Sequence, residues 1–136
     1  MFLGIDFGPK NIGLSLSSGD IAHPLKVLKP KNLSLSVKTI HQLCKTKKVK
    51  KIIIGLSEGK MAHQTKNFAR LLKNQTHLPL EFVDETLSTQ EVHQKMLQAK
   101  TPKGRRKTLS HAFVAAHLLQ IYLDNRPRQT MKNMAS

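Results

Sequence analysis

Phe2-Leu3-Gly4-Ile5-Asp6-Phe7 is an almost wholly apolar run closed by Gly8, and a second apolar segment, Ile12-Gly13-Leu14-Ser15-Leu16, follows within a few residues. Leu3, Ile5 and Phe7 alternate with smaller or polar residues, and Pro9-Lys10-Asn11 has turn composition. Ile12, Leu14 and Leu16 alternate again, so the pair reads as a β-hairpin. Asp6 is the exception in the first strand. A carboxylate buried without a partner costs on the order of several kcal/mol, so its place among core residues points to a metal-ligand or general-base role. Gly4, Gly8 and Gly13 remove side chains where backbone or ligand must come close.

Outward from the hairpin, Ser18-Gly19-Asp20 supplies a turn and Ile21 to Leu28 a third strand, which Pro24 directs to a sheet edge. After Pro30 the period changes: Leu33, Val37, Ile40, Leu43 and Cys44 recur three or four apart, as one face of a helix requires. Its far end carries Lys45, Lys47, Lys48, Lys50 and Lys51, which either complement the negative end of the helix dipole or belong to a phosphate-binding surface; the dipole reading is slightly preferred. Lys51 to Leu56 is a short β-branched run of the kind found in strands covered on both faces. Ala62 to Lys73 has helical spacing, with Phe68, Leu71 and Leu72 as its apolar members, and a strand follows at Leu80 to Val83. Ser88-Thr89-Gln90-Glu91 has capping-box spacing and opens a helix through Val92, Met96 and Leu97, and a last helix starts near Ser110. Between them, Lys100 to Lys107 reads as a mobile loop with five cations, no carboxylate and no apolar period. Residues 1–124 form one domain, and residues 125–136 read as a basic, flexible tail. The order implies an α/β fold in three layers, an antiparallel meander feeding parallel crossovers of a mixed sheet.

At 136 residues the chain suits one domain, and 23 Lys and Arg against 8 Asp and Glu give a formal net charge of +15. Such an excess favours a polyanionic partner through phosphate contacts and counterion release, nucleic acid first among them. The single cysteine, Cys44, on an apolar helix face, suits a reducing cytosolic compartment, and the absence of a charged leader or a run of about 20 apolar residues argues against export or membrane insertion.

In open α/β sheets, ligands gather at the carboxyl ends of parallel strands, and Val83-Asp84-Glu85-Thr86 lies at such an end. Side chains alternate along a strand, so only one of Asp84 and Glu85 shares a face with Asp6. Two carboxylates converging from two strands hold Mg2+ or Mn2+, which makes metal-assisted phosphodiester cleavage a natural reading.

Four segments then carry a resemblance: Gly4-Ile5-Asp6-Phe7-Gly8-Pro9-Lys10-Asn11-Ile12-Gly13; Ile54-Gly55-Leu56; Val83-Asp84-Glu85-Thr86-Leu87-Ser88-Thr89; and Ala115-Ala116-His117-Leu118-Leu119-Gln120-Ile121-Tyr122-Leu123-Asp124. In this order and spacing they resemble the YqgF family, also called RuvX, of Holliday junction resolvases and precursor small-subunit rRNA nucleases. The resemblance runs from residue 2 to residue 124. It implies an RNase H-like fold, a mixed five-stranded sheet flanked by helices, and a metal-dependent nuclease acting on pre-16S rRNA in ribosome biogenesis. It also implies three acidic positions. The first falls on Asp6 and the second on Glu85, which would share the metal; the third, at the start of the last helix, falls on His111, where the family has Asp. Imidazole suits Mn2+ better than Mg2+, so Mn2+ is favoured if His111 is a ligand. His111 reads either as a ligand or general acid, or as a polar helix-start residue in a site of reduced activity. Thr86 stands where Arg is frequent. Pro9 and Asn11 replace a Thr and an Arg of the family pattern, while Lys10 remains; Lys10, Arg105, Arg106 and Lys107 would hold the nucleic-acid backbone.

Glu58 reads as a solvated loop residue, Asp20 as part of a turn, and Asp124 lies too far along its helix from His111 to share a site. The other histidines show no paired ligand spacing and suit surface or boundary positions. Three functions are thus weighed: a cytosolic nuclease acting on structured RNA, with rRNA precursors or ribosomal particles as partners and branched DNA as the alternative substrate; an RNA-binding assembly factor with a decayed site; and an ATP-dependent phosphotransferase, which the chain is too short to house. Either a monomer or a weak homodimer is compatible with the sequence.

Overall fold

The computed structural model describes residues 1–84 and 103–126; for residues 103–109 the backbone alone is described. Five strands, β1 (Phe2–Phe7), β2 (Ile12–Ser18), β3 (Ile21–Leu28), β4 (Lys51–Leu56) and β5 (Leu80–Asp84), form one sheet in the order β3-β2-β1-β4-β5. The β1–β2 and β2–β3 pairs are antiparallel, while β1–β4 and β4–β5 are parallel. Helices α1 (Leu33–Thr46) and α2 (Lys60–Thr76) join the parallel strands, and α3 (Lys103–Asn125) closes the described chain. As Pro24 requires, β3 lies at a sheet edge, and its register shifts beside Ser15.

Strand parity divides the molecule into layers. Leu3, Ile5, Phe7, Ile12, Leu14, Ile52 and Ile54 pack with Val37, Ile40 and Cys44 of α1 and with Phe68, Ala69 and Leu72 of α2. Phe7 stacks on Phe68 at 4.4 Å between ring centroids. On the other face, Ile53 and Val83 pack against Leu119 and Leu123 of α3. Ile52, Ile53 and Ile54 are all fully buried, as expected of a strand covered on both sides. Asn32 caps α1 by accepting the Leu35 N–H at 2.7 Å.

Two expectations are corrected. Lys103 to Lys107 form the first turns of α3, where the charge run had suggested a loop. Arg and Lys are good helix formers, and Gly104 sits next to the helix start, so backbone propensity outweighs the missing apolar period. Leu71 is 39% exposed, and Ala69 takes the core position on α2 instead, because Thr65, Phe68, Ala69 and Leu72 form one stripe at helical spacing that leaves Leu71 to its side. The helix expected from Ser88 and the tail beyond residue 126 lie outside the described residues.

Two glycines seat α3. A Cβ on Gly4 would stand 2.7 Å from the Ala115 carbonyl oxygen and 2.8 Å from Leu119 Cβ, and one on Gly13 would overlap the His111 carbonyl. The backbone of α3 therefore rests directly on β1 and β2. Gly13→Ala should consequently destabilise the protein by about 3 kcal/mol or more, beyond ordinary overpacking, since rigid backbone is what must move. Urea denaturation checks this; a loss under about 1 kcal/mol would contradict the seating.

Candidate active site

Asp6 is 4% exposed, near the carboxyl end of β1 and on the face that meets α3. Its cross-strand partner on β2 is Gly13. The missing side chain at Gly13 lets the α3 backbone descend at His111, and this descent carries the imidazole onto the aspartate: His111 Nδ1 lies 2.7 Å from Asp6 Oδ2. Buried Ala115 and Leu118, four and seven residues after His111, hold the same stripe of α3 against the sheet. His111 lies in the third turn of α3, not at its start.

The hydrogen bond to Asp6 raises the His111 pKa above its ordinary 6.5; burial works against this shift, and the nearby negative charge adds to it. The pair thus favours an imidazolium donating to a carboxylate in a site 32% open at the histidine side chain and 6% at the aspartate.

Lys10 is exposed on the β1–β2 turn, which the Gly8 N–H closes by donating to the Asn11 carbonyl at 2.9 Å. This turn is at the Asp6 end of the sheet. Because α3 runs antiparallel to β1, with Tyr122 against Phe2 and His111 against Asp6, its first turns extend past the Asp6 end. Arg105, Arg106 and Lys107 lie there, roughly 6–9 Å before His111 along the axis. Val83 packs on the α3 face, so Asp84, its neighbour along β5, points to the opposite face. Glu85 lies outside the described residues. Among the described residues no three His, Cys, Asp or Glu side chains converge, and the donors at the site are the Asp6 carboxylate and the His111 imidazole.

Other candidates separate cleanly. Glu58 is exposed in the β4–α2 loop, and Asp20 pairs with Arg126 at 2.5 Å. His23, His63 and His77 are exposed, and His41 and His117 are half-buried; His93 lies outside the described residues. Burial pushes the Cys44 thiol up to about 11, which removes it as a nucleophile at neutral pH. Lys51, read with the basic run, instead donates to Tyr122 Oη at 2.7 Å and pairs with Glu81 at 3.2 Å.

Sequence reasoning missed two features. One is the direct Asp6–His111 bond, whose signal was the glycine opposite Asp6 in the hairpin register. The other is Gln120, which accepts the Ala22 N–H at 2.9 Å and donates to the Asp20 carbonyl at 2.8 Å, pinning the β2–β3 turn to α3. A polar residue among apolar helix neighbours was the available clue.

A raised folded-state pKa means that the His111–Asp6 pair stabilises the metal-free protein fully below pH 6.5 and loses that contribution as pH rises through the higher folded value. The stability difference between wild type and His111→Gln should therefore shrink from pH 5.5 to pH 8.5 in urea titrations made with chelator. A constant or growing difference would show that the pair does not carry this linkage.

The model of the family described as "RuvX: Holliday junction resolvase" matches residues 1–125. A protein of Syntrophomonas wolfei named "Putative pre-16S rRNA nuclease" is 35% identical over 130 residues, covering 90% of this chain and 92% of that protein. One of the same name from Natranaerobius thermophilus is 32% identical, covering 96% of each. Among solved structures, Thermus thermophilus RuvC in complex with a Holliday junction substrate superposes with TM-score 0.62 at 12% identity, covering 91% of this chain and 96% of that one. The fowlpox virus Holliday junction resolvase superposes with TM-score 0.59 at 14% identity, covering 92% and 99%. Those structures share the fold, the RNase H-like arrangement of a mixed five-stranded sheet flanked by helices. On the evidence of the matched length and the curated relatives, this chain belongs to the RuvX family.

Proposed function

We propose that this chain is a metal-dependent nuclease that hydrolyses phosphodiester bonds in structured RNA, with the ends of precursor 16S rRNA as its substrate. The observation that carries this reading is a buried carboxylate at the carboxyl end of a central strand, bonded to a histidine whose pKa is raised. Curated relatives at 32–35% identity are named for pre-16S rRNA, which favours RNA over junction DNA.

Asp6 and Glu85 are the residues that would hold a divalent cation, with His111 as a further nitrogen donor or proton carrier. Asp84 is set aside because Val83, its neighbour on β5, lies on the face of Asp6, which turns Asp84 to the opposite one. The ion, when bound, supplies charge neutralisation at the phosphate and a more acidic water. The chain's own residues supply the rest. Asp6 Oδ2 fixes the imidazole through Nδ1, so Nε2 is the ring nitrogen with a proton to give, and the imidazolium is suited to protonating the leaving oxygen. Lys10, Arg105, Arg106 and Lys107 flank this end of the sheet and would neutralise the backbone on either side of the scissile bond.

Asp6→Asn should lower Mn2+-dependent cleavage of a precursor-rRNA fragment roughly 100-fold or more, while changing RNA affinity less than about threefold, because it removes an ionised group at the reaction centre but no phosphate contact. His111→Gln should lower kcat by about 100-fold or more, as loss of a general acid does. Full activity of either variant would refute the assignment. An inactive wild type made active by His111→Asp would identify an RNA-binding factor whose cleavage site has decayed.

A further inference from the structure

A dense group of exposed cations lies at the end of the sheet away from Asp6. There β1, β4 and β5 begin side by side: the Lys50 N–H donates to the Met1 carbonyl at 2.8 Å, and the Ile52 N–H donates to the Pro79 carbonyl at 2.9 Å. Because β4 and β5 are parallel neighbours, the turns that feed them, after the carboxyl ends of α1 and α2, lie against each other. This juxtaposition gathers Lys45, Lys47, Lys48, Lys50, Lys73 and His77, all exposed. None of them pairs with a carboxylate among the described residues. Glu81, on β5, is engaged by Lys51 on the opposite, α3 face. Residues 21–57 contain no Asp or Glu, and neither do residues 59–80.

Helix-dipole compensation does not account for this rim. One cation in the last turn of each helix serves the dipole, and Lys45 and Lys73 already stand there. The rest add mutual repulsion. The left-handed positions that end these helices are more telling: Lys48 has φ 55° and His77 has φ 59°, where glycine is the unstrained choice. The first helix accepts that strain at a lysine, whereas the imidazole that ends the second is one of the side chains better tolerated there. The rim also continues along α2, where Lys66 and Arg70 lie on the exposed stripe that leads to Lys73 and His77.

We infer that this rim is a second nucleic-acid contact, a phosphate-binding surface for the helical part of a structured RNA, separate from the cleavage end. Lys50 is level with Met1 in the sheet, so the rim stands about 16 Å along the strands from Asp6. Structured RNA can therefore meet the protein at both ends of the sheet at once. The inference rests on the nuclease reading only for the identity of the polyanion; the surface itself is argued from charge and register.

The test measures equilibrium binding of a fluorescent RNA hairpin with a single-stranded flank by anisotropy, in the Asp6→Asn background so that no cleavage intervenes. The variants carry Lys47→Gln, Lys48→Gln, Lys50→Gln and Lys73→Gln together, or Lys48→Gly alone. The quadruple variant should lose at least about tenfold in affinity near 0.1 M salt, and the slope of log K against log salt should become shallower by about three. Lys48→Gly should melt at or above the wild-type temperature and still lose about one in slope; since it relieves strain, it keeps the test readable if the quadruple variant misfolds. Cleavage of a short single-stranded substrate by the same rim variants carrying wild-type Asp6 should keep its kcat, which separates failure of the rim from failure of the catalytic reading. Unchanged hairpin affinity and slope in a folded variant would overturn the inference, as would a loss confined to polyaspartate, which would assign the rim to an acidic protein.

Discussion

The contact on which the site depends is the backbone of α3 lying on two glycines. Gly4 and Gly13 leave no Cβ beneath Ala115 and His111, so the helix approaches the sheet more closely than side chains would allow. That approach fixes the height of His111 above β1, and the height decides whether its imidazole meets Asp6. A slip of β1 by one residue would place Leu3 or Ile5 under the helix in place of Gly4 and turn Asp6 toward the apolar α1–α2 core. Fold and chemistry are joined at this one packing contact.

The electrostatics follow from the same geometry. Asp6 is one of very few carboxylates in a chain with formal net charge +15, and most of the other described ones lie on turns, on edge strand β5 or near the end of α3. Cations gather at both ends of the sheet. Lys10 and the first turns of α3 surround the Asp6 end, while the turns before β4 and β5 crowd the far end. A polyanion is attracted broadly, but a buried negative charge in position to handle a cation and a proton occurs at one place among the described residues.

Much of the fold was legible from local pattern. Alternation in Phe2 to Leu16, the β-branched run at Lys51 to Leu56 and the three-to-four spacing of α1 each reflect burial on one or two faces, and the sheet order follows from them. Arg105 to Lys107 misled because a charged segment carries no burial period, although its residues are good helix formers. Leu71 misled because it is apolar yet lies off the stripe shared by Phe68, Ala69 and Leu72, where the small Ala69 takes the core position. At the site, Asp6 stood out as a carboxylate in an apolar strand. Its direct bond to His111 did not, since the two are 105 residues apart, although the family resemblance had already brought His111 to the same site. The role of Lys51 was hidden for the same reason: its partners Tyr122 and Glu81 come from distant elements.

The account stands on Asp6, backed by His111, as the anchor of a cation-dependent hydrolytic centre. Its most direct test is anomalous diffraction from crystals soaked in Mn2+. The account predicts a peak within about 2–2.5 Å of an Asp6 carboxylate oxygen, with Glu85 reaching the same ion. No peak at this position at saturating Mn2+, with the Asp6–His111 bond undisturbed, would contradict it.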